Sequence, residues 1–76
     1  MKARTRQTKR YVLCMSNRGY AASLIVRRVY RCLEDEAASK RGLVRVVDES
    51  GEDYLFSEKL FAPVELPPAV QQRLAI

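Results

Sequence analysis

The sequence of 76 residues contains no histidine and no tryptophan, and it has two cysteines. Histidine is the usual proton shuttle at neutral pH and the commonest metal ligand, so its absence argues against most acid–base enzymes and metal sites. Two cysteines, Cys14 and Cys32, are too few for a disulfide framework. We therefore predict that the protein is not an enzyme and that it holds no metal and no cofactor.

An enzyme that uses Cys14 or Cys32 as a nucleophile is the alternative. Each cysteine lies in an apolar stretch without a neighbouring general base, and free cysteine is commonly a small core residue. We interpret both as reduced core residues.

Long apolar runs are also missing. No run near the N-terminus resembles a signal peptide, and none has the length of a membrane span. Together with reduced cysteines, this predicts a cytoplasmic protein that does not bind membranes. The chain is too short for two hydrophobic cores, so we expect one domain. We also expect the protein to be a monomer.

Acidic residues are absent from the first ten positions. That stretch carries five of the fourteen basic residues, whereas residues 11–76 hold nine basic and nine acidic residues. The net charge of +5 therefore belongs to the tail, which argues against a basic binding face on the domain itself. Residues 1–9 alternate cations with polar residues and lack apolar periodicity, so we interpret them as a flexible basic arm.

The clearest folding signal is the hairpin sequence LVRVVDESGEDYLF at residues 43–56. Asp48 suits the first position of a type I turn, and Gly51 can take the positive φ that follows it. With Asp48 opposite Glu52, a shift of register by one residue would bury the carboxylate of Asp53 without a partner. The pairs predicted for the core side are Val44–Phe56 and Val46–Tyr54, and those for the outer side are Leu43–Ser57, Arg45–Leu55 and Val47–Asp53.

The other predicted strands surround this hairpin. Arg10–Ser16 is a strand with two apolar faces, and Asn17-Arg18-Gly19 is a turn. Leu24–Leu33 has helical periodicity as a competitor, but its β-branched and aromatic residues favour a strand. After the hairpin, Ser57–Lys59 forms a bend and Ala62–Leu66 a last short strand.

Two segments have helical signals. Glu34–Gly42 has acids first, cations last and a closing glycine, which is typical of one or two helical turns, with a long polar loop as the alternative. Pro67-Pro68 ends the last strand. Ala69–Ala75 can then form a short helix, with Val70 and Leu74 covering the end of the barrel.

These elements predict a mainly β fold, a small SH3-like barrel of about five strands with a short helical turn near residues 35–41. The domain organisation is an arm at residues 1–9, a barrel at 10–66, and a C-terminal tail or short helix at 67–76. The first strand, the Val29-Tyr30 step, the hairpin ending in Phe56, and Phe61 after a bend resemble the small SH3-like barrel proteins of bacteria and phages. Most of that group have no assigned function, so the resemblance implies a fold rather than an activity. Its members usually carry Gly-Lys where this chain has Arg27-Arg28.

Two kinds of charged site can be considered. The residues that could contact nucleic acid are Lys2, Arg4, Arg6, Lys9, Arg10, Arg27, Arg28 and Arg31. The alternatives are a charged terminus without a ligand and solvated strand arginines balanced by Glu34–Glu36. The acids at positions 48, 49, 52 and 53 lack the spacing of a calcium loop, so we interpret them as a solvated hairpin tip that discourages edge pairing.

The aromatic residues do not indicate a groove for proline-rich peptides. The hairpin register predicts that Tyr30 and Tyr54 are in the core, which leaves Tyr11 and Tyr20 for a surface. Our leading hypothesis is a non-enzymatic interaction module with a protein partner. The alternative is non-specific nucleic-acid binding through the basic arm.

Overall fold

Short runs rich in β-branched and aromatic residues form the strands of the computed structural model, which describes residues 10–74. In chain order the elements are β1 (Arg10–Cys14), β2 (Val29–Leu33), α1 (Glu36–Ser39), β3 (Leu43–Val47), β4 (Asp53–Ser57), a 3₁₀ helix (Glu58–Leu60), β5 (Phe61–Val64) and α2 (Pro68–Leu74).

The five strands of the described chain form one antiparallel sheet in the order β4-β3-β2-β1-β5. Strands β1 to β4 follow one another across the sheet, and β5 returns to pair with β1 on its free side. The predicted mainly β, barrel-like fold is therefore confirmed, together with the helical turn near residues 35–41 and the short C-terminal helix.

The hairpin has the predicted register. All five expected cross-strand pairs are present, from Leu43–Ser57 to Val47–Asp53. The amide of Asp48 donates to the carbonyl of Glu52 at 3.0 Å, and Gly51 has a φ of +87°. The turn chemistry and the alternation of apolar residues therefore specify the same pairing.

The core lies on one face of the sheet. Its buried residues are Val12, Cys14, Leu24, Tyr30, Cys32, Val46 and Phe56, with Val44, Leu60 and Phe61 packed against them. All but Leu24 and Leu60 are strand residues whose side chains alternate onto this face.

The second strand is shorter than predicted. Residues 24–28 are not in a strand and include a turn at Val26-Arg27, and β2 begins at Val29. The amide of Leu24 donates to the carbonyl of Tyr20 at 2.9 Å, and the amide of Arg27 donates to the carbonyl of Cys14 at 2.7 Å. These two hydrogen bonds fold the segment back over the core. Leu24 is fully buried, and Arg27 takes a left-handed φ of +73°. Arg27 thus holds a conformation that glycine adopts without steric cost.

Two predictions about tyrosine burial are wrong. Tyr54 has 48% of its surface exposed, although it lies opposite Val46 as predicted. It lies on the edge strand β4 near the hairpin tip. Tyr20 instead covers the neighbouring Phe56, with the two ring centroids 5.0 Å apart in an edge-to-face arrangement. Tyr11, expected to be available at the surface, is 3% exposed.

The C-terminal segment also differs from the prediction. β5 covers Phe61–Val64 rather than Ala62–Leu66, and the bend before it is the 3₁₀ helix. Val70 does not cover the barrel end, since it is 40% exposed. The side chain of Leu74 and residues 75 and 76 lie outside the described part of the chain. No helix within residues 10–74 has the length and apolarity needed to cross a bilayer.

Candidate functional site

A cleft of about 450 Å³ opens where β1 begins. Its apolar lining consists of Val12, Cys32, Leu33, Leu43, Val44, Phe61 and Pro63. Its charged lining consists of Arg10, Glu34, Asp35, Glu36, Arg45 and Glu58. The sheet register explains the apolar part, because Val12 pairs with Pro63 on one side and its neighbours on β2 and β3 alternate toward the core.

One carboxylate of the cleft has a structural role. Asp35 caps α1 by accepting from the amide of Ala38 at 3.0 Å, and it also accepts from Nε of Arg45 at 2.9 Å. These two hydrogen bonds, first that from Ala38 and then that from Arg45, lower the pKa of the Asp35 carboxyl. Arg45 reaches Asp53 as well, at 3.0 Å. Asp35 and Arg45 are therefore paired with each other, and each also bonds to a further group of the domain.

The other acidic residues of the cleft differ from Asp35 in this respect. Glu34, Glu36 and Glu58 are exposed, and none of them forms an ion pair with another residue in the described range 10–74. Arg10 is likewise exposed and unpaired there. The cleft thus combines an apolar interior with a rim, here called the acidic rim, made of Glu34, Glu36 and Glu58.

Of the residues predicted to contact nucleic acid, four lie outside the described part of the chain: Lys2, Arg4, Arg6 and Lys9. Arg10 lines the same cleft as the carboxylates Glu34, Asp35, Glu36 and Glu58.

The three remaining arginines do not form one face. Arg28 pairs with Glu49 at 3.1 Å, so the expectation that Glu34–Glu36 would balance it is wrong. Arg31 lies opposite Tyr11 on the outer side of the sheet, and Arg27 lies in the preceding turn. The hairpin tip curls back toward the turn before β2, which brings Glu49 rather than the α1 acids to Arg28.

The acids of the hairpin tip have partners within the fold. Asp48 is 7% exposed and accepts from the amide of Ser50 at 2.8 Å, so the expectation of a solvated tip is wrong for this residue. Glu52 accepts from the Tyr54 hydroxyl at 2.9 Å. Within residues 10–74, no cluster of three or more His, Cys, Asp or Glu side chains could hold a metal ion.

Both cysteines are buried free thiols. Cys14 is fully buried, and its Sγ donates to the carbonyl of Ser16 at 3.4 Å. Burial raises the pKa of the Cys14 thiol. Burial also raises the pKa of the Cys32 thiol, and this effect exceeds the lowering caused by the positive charge of Arg10. A raised pKa leaves less thiolate at neutral pH, which is the opposite of what a nucleophilic cysteine requires.

The acidic rim was not predicted as a site. Reading the sequence element by element assigns Glu34 and Glu36 to the start of a helix and Glu58 to a bend. The sequence gives no signal for their grouping, because Glu58 is more than twenty positions from Glu34 and Glu36. The structure adds the information that these acids surround an apolar cleft at the point where the arm joins the domain.

Comparison with known proteins adds no family to this geometry. No protein-family model, no curated protein and no solved structure gives a significant match to the chain.

Proposed function

We propose that the protein is a non-enzymatic interaction module that binds a basic, partly apolar segment of a partner protein in the cleft. The observation that carries this proposal is the combination of an apolar interior with three rim carboxylates that form no ion pair within residues 10–74. Apolar lining provides the contact area, and the carboxylates select lysine or arginine over acidic side chains. A cytoplasmic location and kinship with SH3-like barrels are parts of the same proposal.

A non-enzymatic role is supported by the residues that line the cleft. It contains carboxylates, two arginines and one thiol. Of these, Cys32 has a raised pKa, and Asp35 and Arg45 are held by the fold. The cleft volume of about 450 Å³ falls within the usual range of ligand sites.

The expected affinity is modest. Glu34, Glu36 and Glu58 are exposed, and exposed ion pairs contribute about 0–1 kcal/mol each. With a small apolar contact area, a dissociation constant on the order of tens of micromolar is expected for an isolated peptide.

Fluorescence anisotropy with two labelled peptides tests the proposal. One peptide alternates Arg and Val, and the other alternates Glu and Val. We expect the Arg–Val peptide to bind and the Glu–Val peptide not to bind. The double substitution Glu34→Gln and Glu36→Gln should weaken binding about three- to tenfold, whereas Glu52→Gln, an exposed acid on the hairpin, should leave it unchanged. Equal binding of the two peptides, or equal loss in the variant and the control, would overturn the proposal.

A further inference from the structure

We infer that the open edge of strand β4 pairs with the same edge of a second copy of the chain, which joins the two sheets in a dimer. The inference does not depend on the proposed function of the cleft, and it replaces the expectation of a monomer. It rests on the contrast between the two edges of the sheet, the direction of the backbone groups on β4, and the residues that a two-fold pairing brings together.

The two edges of the sheet differ in whether they can accept another strand. The described sheet ends at β5 on one side and at β4 on the other. The ladder between β1 and β5 turns the backbone groups of Phe61 and Pro63 to the outer edge. Pro63 has no amide hydrogen, and the amide of Phe61 donates to the carbonyl of Glu58. Proline on an edge strand prevents further pairing, so β5 is closed, whereas β4 contains no proline.

The backbone of β4 presents a regular row of groups to its open edge. The amide of Asp48 donates to the carbonyl of Glu52, and hydrogen-bonded pairs alternate along an antiparallel ladder. Tyr54 and Phe56 therefore bond to β3. The alternate residues point their N–H and C=O groups to the open edge: Asp53, Leu55 and Ser57. Within residues 10–74, no other element forms a backbone hydrogen bond with this edge.

The side chains of β4 suit pairing with a second copy. Tyr54 is 48% exposed and Leu55 is 38% exposed. In an antiparallel pairing centred on Leu55, the two Leu55 side chains lie opposite each other, and each Tyr54 lies opposite Phe56 of the other copy. The outward backbone groups of Asp53 meet those of Ser57, so every outward residue of the strand is used. Apolar and aromatic cross-strand pairs of this kind stabilise a sheet, and the interface is the same patch on both copies.

The charges near the edge are compatible with this pairing. Asp53 is already paired with Arg45 of its own chain at 3.0 Å, so its carboxylate does not oppose a second strand. The carboxylate of Glu58 lies on the cleft side, beside the residue that precedes β3. Lys59 then remains at this end of β4, and the two-fold arrangement brings that end beside Glu52 of the other copy. Neither Lys59 nor Glu52 forms an ion pair within residues 10–74, so the two edges are complementary in charge.

Sedimentation velocity of the full chain from about 10 µM to about 1 mM measures the association. We expect a reversible equilibrium between monomer and dimer with a dissociation constant on the order of 100 µM, because the contact area is small. Leu55→Lys sets two like charges opposite each other and should raise the dissociation constant at least about tenfold. Val70→Lys makes the same change at a position on α2 that is 40% exposed, and it should leave the association unchanged.

Amide hydrogen exchange of the unsubstituted protein locates the interface without any variant. With a dissociation constant of about 100 µM, the monomer fraction falls from about 0.85 at 10 µM to about 0.2 at 1 mM. The amides of Asp53, Leu55 and Ser57 should therefore exchange about fourfold more slowly at the higher concentration. The amides of Tyr54 and Phe56 should be protected at both concentrations, because they bond to β3.

A monomer mass across the whole concentration range would overturn the inference. A dimer that survives Leu55→Lys, or protection with concentration that misses the alternate residues of β4, would place the interface elsewhere and overturn it as well. The Arg–Val peptide serves as a foreign strand. If it protects these amides while the protein stays monomeric, the edge accepts a different partner and the pairing of two copies is excluded.

Discussion

The hydroxyl of Tyr30 joins the turn before β2 to the hairpin tip. It accepts from the amide of Ile25 at 2.7 Å and donates to Oε2 of Glu49 at 2.5 Å. Arg28 donates to the same carboxylate at 3.1 Å. The Tyr30 ring is in the core, with 6% of the residue exposed. Tyr30→Phe therefore removes one oxygen and leaves the packed ring in place.

The stability that Tyr30→Phe is expected to remove is a large part of the protein's total free energy of unfolding. A hydrogen bond to a charged group contributes about 1.5–3 kcal/mol, and an amide left without a partner costs about 1–3 kcal/mol. Water can reach part of the released groups because the Glu49 side chain is 28% exposed. We expect Tyr30→Phe to lower the free energy of unfolding by roughly 2–3 kcal/mol. A core of this size provides roughly 3–5 kcal/mol.

The same hydroxyl predicts an alkaline transition. Burial, and then the hydrogen bond to Glu49, raise the pKa of Tyr30 to about 12 from 10.0. Because the folded pKa lies above the unfolded value, this contribution is complete below about pH 10 and is lost as the pH rises through about 12. The stability that is lost amounts to about 2–3 kcal/mol, because one pKa unit corresponds to about 1.36 kcal/mol. Cys14 and Cys32 also have raised pKa values, so the quantity to measure is the difference between the parent protein and Tyr30→Phe.

Urea unfolding followed by far-UV circular dichroism at pH 7 and at several alkaline pH values measures both effects. Tyr54→Phe is the matched control, because the Tyr54 hydroxyl donates to Glu52 in an exposed hydrogen bond and Tyr54 itself is exposed. That variant should change stability little. If Tyr30→Phe and Tyr54→Phe behave alike at pH 7, or if the alkaline loss is the same with and without the Tyr30 hydroxyl, the reasoning is refuted.

Four further outcomes are expected. Arg27→Gly should raise the free energy of unfolding by about 0.5–1 kcal/mol, because it relieves a left-handed φ; a loss in urea unfolding would contradict this. Gly51→Val should cost at least ~1 kcal/mol through its positive φ alone, since no atom lies within 4 Å of the added Cβ, and Gly51→Asn should cost less. Cys14 and Cys32 should resist a thiol reagent until denaturant is added, and rapid labelling of either in the folded protein would revive the enzyme hypothesis. Any binding of short duplex DNA should depend on the arm, with a log–log salt slope of about −4 to −5 for five phosphate contacts, and a binding curve unaffected by Arg4→Gln with Arg6→Gln would exclude that role.

The hairpin was predictable because two independent signals agreed. The turn sequence from Asp48 to Gly51 allows one loop geometry, and the alternation of Val44 and Val46 against Phe56 allows one register. Exposure was not determined by register. Tyr54 is on the predicted face, yet it lies on the edge strand β4 and no described element covers it. The loop that contains Tyr20 covers Phe56 instead, and the register does not specify the path of that loop.

The turn segment before β2 was mispredicted because its sequence favours a strand. Residues 24–29 are rich in β-branched side chains, which fit a pleated surface. Tertiary contacts override that preference: Leu24 is fully buried, and the side chain of Asn17 donates to its carbonyl at 3.0 Å. Arg27 gives no sequence signal of its positive φ, because glycine is the residue that normally marks such a position.

The acidic rim and the basic arm also bear on the nucleic-acid alternative. Within residues 10–74, Arg28 and Arg45 are paired with carboxylates, and Arg10 lines a cleft that four carboxylates also line. Arg27 and Arg31 form no ion pair within that range, but Arg27 lies in a turn and Arg31 lies opposite Tyr11 on the outer side of the sheet, so they do not share one face. The nucleic-acid alternative therefore rests on the cations of residues 1–9, and the salt slope together with the Arg4→Gln and Arg6→Gln double variant tests it.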